Sequence, residues 1–122
     1  MKLTIHGRIP SKKNSVGIAV VNGKVRKFPS SKYKAWNKTA LEELKFTCKL
    51  DKTIETTKEV TLTFYAPDRR KYDLTNKAES IMDTLVDGGI LEDDNATVVP
   101  KLTLVHGGIE KENPRAVILI KL

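Results

Sequence analysis

Residues 59–94 read EVTLTFYAPDRRKYDLTNKAESIMDTLVDGGILEDD, and two different periodicities meet inside that stretch. Val60, Leu62 and Phe64 alternate with polar neighbours, the two-residue period of a strand that buries one face. The wider segment Thr53 to Ala66 is rich in Thr, Val and Phe, so it reads as one long strand closed by Pro67 and the charged run after it. From Asp73 onward the period lengthens. Ala78, Ile81, Met82 and Leu85 fall on one face of a helix that Asp73 or Thr75 can cap and that Gly88 and Gly89 stop.

Upstream, Leu3, Ile5 and Ile9 give residues 2–9 the pattern of another half-buried strand ending at Pro10. PSKKNSVG is a loop of turn formers and lysines, and IAVV, Asn22-Gly23 and KVRKF carry the Asn-Gly signature of a tight hairpin. A helix begins at Ser30 or Ser31 and runs to about Lys45. Tyr33, Trp36, Ala40, Leu41 and Leu44 form its apolar stripe, which assigns Trp36 to the core. Downstream, residues 96–106 and 115–122 read as two strands joined by the loop GGIEKENP, and Pro100 marks the first as an edge strand or a bulged one. The expectation is a single α+β domain over 1–122, in two layers, with a mixed or antiparallel sheet, hairpin connections and two main helices.

A chain of 122 residues with 39% hydrophobic content supplies one core, and a second copy covering more apolar area would stabilise it, so a homodimer is expected. No run is long enough to span a membrane and the start lacks a secretion signal, which points to a soluble cytoplasmic protein. Cys48 is the lone cysteine and reads as a half-buried apolar residue; His6 and His106 lie in strand-like runs with no zinc spacing. The charge is uneven. Residues 1–49 hold twelve Lys or Arg against two acids, whereas residues 50–122 hold ten against thirteen. A basic half in a chain of net charge +7 favours a polyanionic partner, because Lys and Arg neutralise phosphates irrespective of base sequence.

The chemistry is sought between Asp68 and Asp94. At 100° per residue Asn76, Glu79 and Asp83 fall within about 60° of one another, opposite the apolar stripe. Asp73 stands at the helix start, and the glycine turn can bring Asp93 and Asp94 back toward it. Magnesium takes hard oxygen ligands, commonly a few carboxylates with water and phosphate, and at such a site assists phosphodiester hydrolysis. Arg69, Arg70 and Lys71 are placed to hold the cut strand by its phosphates. Acidic stripes are more often solvated faces, so the pattern alone leaves that bland reading open.

PDRRKYDLTNKAESIMDTLVDGGILEDDNATVV resembles the signature of the RusA-like Holliday-junction resolvases: a basic stretch, Asp-Leu-(Asp or Thr)-Asn, a helix containing Asp-(Ala or Thr)-Leu, a glycine turn and a run of acids. PSKKN and SSKYKAW resemble the loop and first helix of the same family. The resemblance implies metal-binding aspartates at Asp73 and Asp94, with Asp93 beside them and Asn76 in support. It also implies a dimer acting on four-way DNA junctions with magnesium, or alternatively manganese. Two positions depart from the pattern. Thr75 stands where a second metal-binding aspartate is expected, and Glu79 where a catalytic lysine is expected.

Residue 79 lies one turn beyond 75 on nearly the same face, so Glu79 can restore the lost charge and joins Asp73 and Asp94 in the expected catalytic set. Lys71 and Arg70 are the candidates for the missing cation. Lys12, Lys13, Asn14, Lys24, Arg26 and Lys27 are expected on DNA with Arg69, Arg70 and Lys71. Beside the junction endonuclease of recombination and repair stand two other readings: an inactive module that binds branched DNA, and a metal-dependent nuclease acting on RNA or flaps.

Overall fold

The computed structural model describes residues 1–11 and 16–122. Its strands are β1 Lys2–His6, β2 Val16–Val21, β3 Lys24–Pro29, β4 Glu59–Ala66, β5 Leu102–Ile109 and β6 Arg115–Lys121; its helices are α1 Ser31–Thr47 and α2 Leu74–Asp87. Four strands form a mixed sheet in the order β1-β6-β4-β5, so the α+β class holds. The alternation in the sequence decides the layering. Val60, Leu62, Phe64 and Ala66 are all buried, as are Ala116, Ile118 and Ile120 on the paired strand, and this face carries the core. Ala40 and Leu44 of α1 join it, with Ala78, Ile81, Met82 and Leu85 of α2.

Local chemistry sets the start of α1 and the end of α2. The Ser30 hydroxyl accepts a hydrogen bond from the Tyr33 amide at 3.1 Å, capping α1. At the far end of α2, Gly88 is the C-cap and Gly89 turns the chain at a φ of 72°. The Asn22-Gly23 turn has φ of 52° and 75°, the two positive values of a tight I′ hairpin, and joins β2 to β3 in a separate two-stranded sheet.

Four expectations need correction. The long strand does not start at Thr53: Ile54 makes only an isolated bridge to Leu91, and regular pairing begins at Glu59. Pro100 precedes β5 rather than lying inside it, although β5 is an edge strand and does carry a bulge. The last two strands are not a hairpin pair. β4 lies between them, parallel to β5 and antiparallel to β6, so β4, α2 and β5 form a parallel crossover unit. Gly107 to Ile109 continue β5 instead of opening a loop.

The bulge has a clear cause. His106 pairs with Phe64 and Gly108 with Tyr65, which leaves Gly107 as the extra residue. A Cβ at Gly107 would lie 2.7 Å from Tyr65 Cε1 and 2.8 Å from Thr63 Cγ2, so the close approach of β4 requires glycine there.

Candidate active site

Parallel strands β4 and β5 end side by side, and the chain leaving β4 runs through Pro67–Asp73 into α2. An open cavity of about 770 Å³ lies at this junction, lined by residues 68–74 and by Asn76, Lys77, His106, Ile109 and Ser11. The carboxyl ends of parallel strands next to a helix N-terminus are where α/β sheets commonly place ligands, since backbone amides and the helix dipole converge there.

Asp73 is the N-cap residue of α2, yet its side chain makes no capping hydrogen bond. Its carboxylate instead accepts from Asn76 Nδ2 at 3.2 Å, at the cavity wall. Arg69, Arg70 and Lys71 line the same cavity, as the sequence suggests. Asp68 organises them: it accepts from the Arg70 amide at 3.0 Å and pairs with the Arg8 guanidinium. The Arg70 amide, then the Arg8 side chain, holds the Asp68 carboxyl below its usual range against an opposing push from burial.

Three residues that the sequence reading did not select complete the wall. The Lys77 ammonium is half-buried, donates to the Ile9 carbonyl and sits 5.5 Å from the centre of the Tyr72 ring. Burial, followed by the charge of Arg8, pushes its pKa down, with Asp68 opposing. Tyr72 in turn hydrogen-bonds His106 Nδ1 through its hydroxyl, and burial raises its phenol. The basic run and Lys77 are legible as charge, but the Tyr72–His106 pair spans 34 residues and depends on the strand order.

The remaining acids do not line that cavity. Asn76, Glu79 and Asp83 do share the polar face, while Ala78, Ser80, Ile81, Met82, Thr84 and Leu85 are buried. Leu91 is anchored by its bridge to Ile54, and the exposed acids follow it. Asp93 accepts from the Asp94 amide at 2.7 Å and from Asn95 Nδ2 at 3.1 Å. Burial first, then Asp93 and Asp83, pushes the Asp94 carboxyl up. Asp83 lies ten residues beyond Asp73, about 15 Å along a helix axis. Among the described residues no group of three or more His, Cys, Asp or Glu is placed to hold a metal ion.

The expected DNA contacts divide. Lys24 is exposed beside the hairpin turn. Arg26 and Lys27 lie on β3, with only their backbone described, and Lys12, Lys13 and Asn14 lie outside the described residues. No described helix is long and apolar enough to cross a membrane.

Comparison with protein families matches residues 9–121 to the model of the endodeoxyribonuclease RusA family. The chain belongs to that family. A search of curated proteins returned no match. Membership in the RusA family makes the chain one of a group of endodeoxyribonucleases, and the match covers both the basic N-terminal half and the acidic helix. RusA-family nucleases are generally dependent on a divalent metal. The donors here suit such an ion in kind: Asp73, Glu79, Asp93 and Asp94 offer hard oxygens, and the Asp73 carboxylate is not committed to capping its helix. Magnesium commonly binds through one or two protein carboxylates, with water and phosphate completing the shell, so a three-acid cluster is not a requirement.

Proposed function

We propose that this RusA-family chain is a structure-selective endodeoxyribonuclease that resolves four-way DNA junctions by paired phosphodiester hydrolysis, in recombination and repair. The observation that carries the reading is the cavity in which the uncapped Asp73 carboxylate, Asn76 and a run of three cations meet at the N-terminus of α2. In this reading the whole chain acts as one unit inside the cell. The cations and the helix amides receive a backbone phosphate, and Asn76 orients the Asp73 carboxylate. Asp73 and Asp94, with Asp93 and Glu79, would hold the magnesium or manganese ion. When bound, such an ion supplies an activated hydroxide and offsets charge developing on the phosphoryl oxygens.

Lys24, Arg26 and Lys27 of the hairpin, with Lys12, Lys13 and Asn14 of the preceding loop, extend the DNA contact. A homodimer is supported by Leu102, Val105 and Ile109, apolar side chains left exposed on the edge strand β5. Two copies would present two cavities to the two strands that must be cut.

A second reading has its own support. Thr75 and Glu79 stand where the family pattern has a metal-binding aspartate and a catalytic lysine, which suits a protein that binds branched DNA without cutting it. Glu79 separates the two readings, because it lies on the helix between Asp73 and Asp83. Glu79→Ala is expected to abolish metal-dependent cleavage while junction binding survives. An unchanged cleavage rate would remove Glu79 from the site.

A further inference from the structure

The Tyr72–His106 pair takes no part in the proposed metal chemistry. His106 is the last residue of β5 before the bulge, opposite Phe64, and the alternation from Leu104 keeps it on the helix-facing side of the sheet. The glycine behind it fixes that position, since Gly107 is where β5 runs too close to Tyr65 for any side chain. The Tyr72 hydroxyl bonds Nδ1 of His106, and the two ring centres lie 5.5 Å apart at an angle of 58°. The imidazole is nevertheless exposed, lines the cavity, and has no partner at Nε2 among the described residues.

Two tautomers satisfy the hydrogen bond, since a phenol can donate to Nδ1 or accept from Nδ1–H. With the phenol donating, the proton of the neutral ring resides on Nε2. A donor at Nε2 then shares a cavity with Arg69, Arg70, Lys71 and Lys77, all suited to one anionic group.

We infer that His106 is a phosphate-contacting residue, donating from Nε2 to a non-bridging oxygen of the DNA strand seated in this cavity, and that Tyr72 is its positioning residue. The inference rests on the DNA-binding reading and adds to it a specific atom and its proton. The contact is to backbone, so it acts on DNA of any sequence.

The first test needs no cleavage. The His106 ring nitrogens, assigned by their absence in His106→Gln, are followed by two-dimensional NMR above neutral pH, without and with a linear duplex in chelator. The free protein is expected to show the Nε2–H form, the duplex to move Nε2 far more than Nδ1, and Tyr72→Phe to lose the tautomer preference. Binding is measured on the same samples. A duplex that binds while Nε2 stays unmoved overturns the role of His106 and leaves the DNA reading standing; a duplex that does not bind overturns both.

Affinity gives a second readout. His106→Ala is expected to weaken duplex binding about tenfold, as for a hydrogen bond to a charged group. His106→Gln should recover most of the loss, since its amide presents a donor near the place of Nε2, and Tyr72→Phe should fall between. Equal losses in His106→Ala and His106→Gln would show that the ring serves shape alone and would overturn the proposal.

Discussion

Gly107→Ala tests how the sheet places the cavity wall. The new methyl carbon would meet Tyr65 Cε1 at 2.7 Å, Thr63 Cγ2 at 2.8 Å and Tyr65 Cζ at 2.9 Å, three approaches well inside van der Waals contact. The Tyr65 ring is not free to swing away. The Arg115 guanidinium stacks 4.0 Å from its centre, and Arg115 is held by Glu110 and by the Asn113 carbonyl. Overpacking of this kind costs about 1–3 kcal/mol, and displacing the stacked cation adds roughly 0.5–1 kcal/mol. With a urea slope of about 1–3 kcal/mol per molar, the midpoint should fall by roughly 1 M. In a Tyr65→Ala background two of the three clashes vanish, so the penalty of Gly107→Ala should shrink by about half, a departure from additivity expected of touching residues. An unchanged urea midpoint, or the same penalty in both backgrounds, would refute the assignment of Gly107 to the bulge.

Other outcomes concern the cap, the sheet edge and the basic hairpin. Ser30→Ala removes the cap of α1 and should cost about 1 kcal/mol in urea unfolding, with Ser30→Asp restoring most of it. Glu59 is held below its ordinary pKa of 4.5 first by the Thr103 hydroxyl and then by Lys101 and Lys121, with burial opposing. Its contribution is therefore present above pH 4.5 and fades as the pH falls through the lower folded value; Glu59→Gln should flatten that part of the acid titration of stability. Neutralising Lys24, Arg26 and Lys27 should weaken binding to every duplex sequence and reduce the slope of log K against log salt by about 0.9 for each phosphate left without its cation.

The elements that depend on neighbours in sequence are legible without the structure. The two-residue period of Val60, Leu62 and Phe64, the helical spacing of Ala78, Ile81, Met82 and Leu85, and the Asn22-Gly23 turn each follow from local sterics and from which face must be buried. Strand order is not, because the insertion of β6 between β1 and β4 is decided by packing between distant residues. Gly107 and Gly108 mislead for a related reason: a glycine pair reads as a turn, whereas here Gly107 admits the side chains of β4. The same limit governs the site. Asp73, Asn76 and the basic run lie within a few residues of one another and are recognisable as a group, but His106 reaches the cavity only through the parallel pairing of β5 with β4. Lys77 lies about 160° around α2 from Glu79, and its side chain reaches the cavity.

Cleavage of a four-way junction decides whether this chain is a resolvase. The purified protein is incubated with a labelled synthetic four-way junction and with a matched linear duplex, in magnesium and in chelator, beside Asp73→Asn. Paired nicks placed symmetrically across the junction, dependent on metal, absent from the linear duplex and abolished in Asp73→Asn, are the predicted result. Tight binding of the junction with no cleavage in either metal or chelator would contradict it and leave a branched-DNA-binding protein built on the RusA fold.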